Sequence, residues 1–159
     1  MKRVIVGITG DQLCVSFKVD NCLTGEMKTV IHQGIPTIFT FFVIVEEERA
    51  FWWDRTVSER KVTHEIRYDK LKRLYTVYLS EKGGEPVSLA DFDRAKEVMA
   101  GIKDLKAALL RDLIRGKRYE IRMMAELEKT RLPFYLHYLS YFFSFWEFKT
   151  DWKAVDFVF

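Results

Sequence analysis

The side chains that could do chemistry are few and scattered. His32, His64 and His137 lie far apart, each in a different expected element. None has the close His, Cys or carboxylate partners, one helical turn away, that a metal site needs. No metal is therefore expected. Cys14 and Cys22 match no redox spacing and cannot form a zinc site alone. They can form one disulfide if the chain folds outside the cytoplasm. Cys14 falls inside an expected strand and Cys22 just past its end, so the spacing does not dictate the close approach a bridge requires. No Gly-x-Ser-x-Gly elbow occurs, and Gly83 with Gly84 reads as a turn rather than a phosphate-cradling loop. Glu46, Glu47 and Glu48 have the types of an acid–base pair, but adjacent acids at a strand's end usually face water, and the role needs a pocket and a shifted pKa. No catalytic residue and no cofactor is assigned, and the chain reads as a non-enzyme.

The elements that position these side chains follow from composition and periodicity. The 159 residues are 48% hydrophobic and 31% charged, with three prolines, the makeup of one ordered domain, taken as 1–159. The 26 bases and 23 acids are interspersed and leave a formal charge of +3, which gives no broad basic field and argues against a nucleic-acid partner. Short basic clusters at 70–73 and 115–118 fall at expected turns. The opening MKRVIVG is too short an apolar run for a secretory signal. Either the protein is cytoplasmic or its targeting segment lies outside this sequence.

Residues 4–9 and 13–20 read as a hairpin, because Leu13, Val15, Phe17 and Val19 alternate with Cys14, Ser16, Lys18 and Asp20. Leu23, Met27, Val30 and Ile31 predict a short helix capped by Thr24 or Asn21 and stopped by Gly34 and Pro36. Residues 35–49 form a long apolar strand, expected to be central and covered on both faces. Segments 57–68 and 74–80 alternate and complete a meander. Ser88, with Asp91 three places on, predicts a helix carrying Leu89, Phe92, Ala95 and Met99 and closed by Gly101. Residues 105–110 fit strand or helix, whereas 119–127 and 154–159 read as strands. The fold class is mainly β with minor α: an antiparallel β-sandwich or partly closed barrel with two or three short helices.

Two aromatic stretches stand apart. FYLHYLSYFFSFWEF, 134–148, places His137, Ser140, Ser144 and Glu147 on one stripe if helical, with apolar residues or tyrosine elsewhere. About fifteen helical residues reach only some 22 Å, against roughly 30 Å of hydrocarbon, so no transmembrane span is expected. The helix is expected to cap the core, with an exposed partner-facing or lipid-facing patch as the alternative. The second stretch, Trp52-Trp53-Asp54-Arg55, places neighbouring tryptophans on opposite sides of extended chain, one for the core and one near the surface.

The sequence VIHQGIP at 30–36 leading into a long apolar strand, Trp52-Trp53-Asp54, IRYDKLKRLY at 66–75, Leu132-Pro133 and an aromatic C-terminal strand together resemble the bacterial domain-of-unknown-function family 4390. The likeness runs over nearly the whole chain. It implies an extracytoplasmic, periplasmic domain, since members carry an N-terminal signal or anchor, and it brings no activity, cofactor or catalytic residue.

The expected function is a binding or scaffolding module of the bacterial envelope. Its partner-binding candidates are Trp52, Trp53, Arg55, Tyr141 and Trp146, tryptophan and arginine being the types that most often dominate interfaces. The partner is expected to be an envelope protein or an apolar ligand, with peripheral contact with a membrane surface allowed. The alternative is a carrier or sensor of a lipid-like ligand, held in a cavity lidded by helix 134–148.

Overall fold

The structure, a computed structural model, describes residues 1–20, 22–51, 53–127 and 148–159. Strands β1 (Lys2–Thr9) and β2 (Gln12–Lys18) form the expected hairpin, and β7 (Gly101–Leu109) pairs with β2 to complete a three-stranded sheet. The second sheet comprises β3 (Thr37–Glu47), β4 (Arg55–Asp69), β5 (Leu74–Leu79), β6 (Val87–Leu89), β8 (Arg118–Leu127) and β9 (Lys153–Val158), ordered β6-β5-β4-β3-β8-β9. All pairings are antiparallel. Among the described residues neither sheet closes on itself, so of the two expected architectures the chain adopts the sandwich.

Strand β3 is central to its sheet, flanked by β4 and β8 along nearly its full length. Its inner face, Thr37, Phe39, Phe41, Val43, Val45 and Glu47, is buried, while Ile38, Phe42, Ile44 and Glu46 are half-buried. Burial on both faces, expected from the unbroken apolar run, is thus unequal. The other sheet packs on this strand through β7, which lies against β3 and β4, and through Phe17 of β2, whose ring meets that of Phe41 edge-on at 6.0 Å. A second link between the sheets is the Ser58 hydroxyl, which donates to the Ala107 carbonyl.

Residues 105–110, ambiguous by period, belong to β7 and its 3₁₀ turn. The ladder with β2 carries register shifts between Leu13 and Cys14 and between Val15 and Phe17. Asp104 sits in the left-handed region (φ 49°), where its amide donates to Ser16 Oγ at 2.9 Å. Such bulges bend an edge strand and discourage a further strand from pairing with it. They also explain why alternation alone was insufficient there.

Helix α1 (Gly25–His32) buries Met27, Val30 and Ile31 and starts at the Thr24 cap. Gly34 takes φ +89°, the left-handed stop expected of it. Helix α2 (Phe92–Met99) begins at Asp91, whose side chain accepts from the Arg94 amide at 2.9 Å. Ser88 does not open it. Residues 87–89 pair with 75–77 instead, placing Leu89 in the edge strand β6. Cys14 and Cys22 are both buried free thiols.

The expected helix over 134–148 lies outside the described residues except for Phe148, which is not helical. Its carbonyl accepts from the Leu127 amide at 2.9 Å and its ring packs on Phe39 at 5.7 Å. Among the described residues no helix is long and apolar enough to cross a membrane.

Because Phe41 touches Phe17, Phe39 and His64, Phe41→Ala should lower the free energy of unfolding by about 3–5 kcal/mol in a urea titration. A loss below about 1 kcal/mol would show that the two sheets do not depend on this contact.

Candidate partner-binding surface

The strand register brings several connections to one end of the sandwich. The tip of the β1–β2 hairpin joins the 110–112 turn through Leu110 N–H to Asp11 O, 2.9 Å. The β3 exit joins β8 through Glu48 N–H to Arg118 O, 3.1 Å. Gly116 and Lys117 bond in turn to Phe159. Into this end projects the 48–54 loop between β3 and β4.

The loop is braced from below. Alternation along β3 sends Glu47 inward, where it is buried, so the expectation that all three glutamates face water fails for Glu47. Glu46 is half-buried against Arg122, with 3.2 Å between them, and only Glu48 is exposed. Arg55 Nε approaches Glu47 Oε2 at 3.1 Å and Arg49 Nη2 lies at 3.7 Å. That oxygen nevertheless receives no aligned N–H, so the attachment is Coulombic rather than a directed hydrogen bond. Asp54 Oδ1 closes the loop by accepting from the Arg49 amide at 3.1 Å.

Above this base Phe51 is 94% and Trp53 92% exposed. Trp53 therefore lies where the alternation of tryptophans allows a surface residue. Trp52, Tyr141 and Trp146 lie outside the described residues. Arg55, expected as a contact, is exposed at the foot of the same loop, where its charge also faces Glu47. Phe51 was passed over in favour of its tryptophan neighbours, although its place in the same turn was the available signal. Ile8, Ile114 and Val158, all exposed, sit at the same end. They were invisible to sequence because they come from three separate segments, two strands and a loop. An open cleft of about 1010 Å³ runs between the loop and residues 116–118, with Arg49, Phe51, Lys117 and Arg118 on its walls. Tyr119 holds the facing connection: its hydroxyl accepts from the Ile114 amide at 2.8 Å and its ring stacks on Phe157 at 5.5 Å.

With this geometry in place, one comparison is decisive for family. The profile of the domain of unknown function DUF4390 matches residues 1–156. The chain belongs to the DUF4390 family. No curated protein and no solved structure matches it. In this DUF4390 chain the two sequence pieces at 30–36 and 66–75 meet at the opposite end of the sandwich. The His32 ring lies 4.6 Å from Tyr68 and 5.4 Å from Tyr75, and bonds to the Tyr75 hydroxyl. Tyr75 also packs on Phe92 of α2. The cluster ties α1, the β4–β5 hairpin and α2 together.

The described histidine nearest to a carboxylate is His64, and it is fully buried. Its Nδ1 faces the Met99 carbonyl at 3.0 Å, which can only accept, so Nδ1 carries a proton. Its Nε2 faces Glu81 Oε1 at 3.0 Å. Both ring nitrogens thus face protein partners. The pair fastens α2 and the 80–82 turn to β4. Burial pushes the Cys22 thiol up to about 11, which makes it a poor nucleophile. Among the described residues no group of three His, Cys, Asp or Glu converges.

Arg55→Ala should cost about 1–2 kcal/mol, less than a fully buried pair because Arg55 is half-exposed and Arg49 remains near Glu47. No change in the urea midpoint would show that Glu47 does not need it.

For Glu81, burial raises the carboxyl, but the hydrogen bond and charge of His64 outweigh it and hold it below the ordinary carboxylate range. A lowered carboxyl contributes stability that is present above its unfolded value, about 4.3 for glutamate, and lost as pH falls through the folded one. The melting temperature of wild type should therefore fall on acidification by a component missing from Glu81→Gln. Parallel acid profiles would refute the charged pair.

Proposed function

We propose that the protein is a non-enzymatic binding or scaffolding module of the bacterial envelope that engages a protein partner through the 48–54 loop. The observation that carries this reading is the near-complete exposure of Phe51 and Trp53 side by side on a braced loop. Large aromatics held in water by a stiff support are the usual anchors of an interface. Lys117 and Arg118 line the cleft with Phe51, and so do Glu48, Asp54 and Glu120, so the complementary surface is an apolar pocket with a rim of mixed charge. The carrier alternative needs a hollow between the sheets. That space is occupied by Phe17, Phe39, Phe41 and Tyr119, which supports the surface reading instead. The envelope location rests on family resemblance, and fractionation of the full-length gene product tests it.

Trp53→Ala and Phe51→Ala should each leave the melting temperature within about 2 °C of wild type, as exposed substitutions do. Each should also abolish co-purification of the partner from envelope extracts. A partner retained by both variants, or binding to protein-free lipid vesicles that the variants lose, would overturn the proposal.

A further inference from the structure

A second cleft, of about 470 Å³, lies between α2, the 80–82 turn, β6 and the start of β7. Its volume is that of a small-ligand site. The cleft shares no residue with the 48–54 surface. Helix α2 contributes Arg94, Glu97 and Val98, spaced three and four residues apart so that they share the side facing it. Leu79 is buried at its floor, with Leu89 and Val98 half-buried beside it.

The charges around that apolar floor do not balance. Lys82, Arg94 and Lys103 line the cleft and are exposed; Arg94 and Lys103 form no close ion pair among the described residues, and Lys82 acts on Glu81 only through its charge. The two acids in its wall are already engaged. Glu81 binds His64 at 3.0 Å and Glu97 binds Lys18 at 3.5 Å. Three cations thus line the same cleft as this aliphatic floor, against two acids that are each paired with another side chain. One head group could draw on all three, since charge-assisted hydrogen bonds are the stronger kind.

We infer that this cleft binds a single-chain amphiphile with an anionic head group. The head meets Lys82, Arg94 and Lys103, and the chain lies over Leu79, Leu89 and Val98. Neither a neutral amphiphile nor a small inorganic anion uses both halves of the site.

Methyl-resolved NMR titration of the intact protein tests this with four probes: decanoate, decyl phosphate, decanol and inorganic phosphate. The two anionic amphiphiles distinguish a fatty acid from a phosphorylated lipid as the source of the head group. At least one of them should shift the Leu79, Leu89 and Val98 methyls, while decanol and inorganic phosphate at equal concentration should not. The doubly substituted Arg94→Gln, Lys103→Gln protein keeps the fold, since both positions are exposed, and should bind about tenfold or more weakly. Trp53→Ala should bind as wild type does. Silence of both anions, an equal response to decanol, or unchanged affinity in the double variant would overturn the inference.

Discussion

The architecture depends on one packing constraint: the inner face of β3 must be buried against the smaller sheet of β1, β2 and β7. Phe39, Phe41, Val43 and Val45 are almost wholly removed from water, and the contact between Phe41 and Phe17 joins the two sheets. Since β3 pairs with both β4 and β8, its register sets the heights at which those strands begin and end. Slipping it by one residue would turn the whole apolar set outward. Both ends of the sandwich inherit their geometry from this strand.

At one end the same alternation that buries Phe41 also buries Glu47, because the two lie on one face. A carboxylate drawn inward needs cations close by. Arg49 and Arg55 supply them from either side of the loop, and this pins the loop's two stems together. Phe51 and Trp53 are then left exposed on that loop. The exposed aromatics are in this sense a consequence of the core. At the other end, His32, Tyr68 and Tyr75 bind α1 to the β4–β5 hairpin, and the engaged His64–Glu81 pair anchors α2. Both groupings consolidate the fold.

Much of this was legible in the sequence where a single period governs burial. The strict alternation of 13–19, 62–68 and 119–127 identifies strands with one wet face, and Thr24, Gly34 and Pro36 delimit α1. Residues 105–110 were not legible, because a bulge with Asp104 in the left-handed region interrupts the period. Ser88 misled because a capping pattern is local, whereas its pairing with Thr76 is not. Glu47 was misjudged from its acidic neighbours although alternation with Val43 and Val45 places it on the inner face, and the two arginines that compensate it are brought together only by the hairpin. The cleft beside α2 draws on four separated segments and leaves no local trace. Of the five contact candidates, the structure exposes Trp53 and Arg55, while Trp52, Tyr141 and Trp146 lie outside the described residues.

The central claim, that the braced 48–54 loop is the face this DUF4390 protein presents to a partner, is tested most directly by photo-crosslinking in living cells. A photoreactive residue replacing Ala50, exposed on the loop beside Phe51, is compared with one replacing Leu71, which is exposed at the opposite end of the sandwich. The account predicts a discrete adduct from position 50 and none from position 71. No adduct at 50, or the same adduct from both positions, would contradict it.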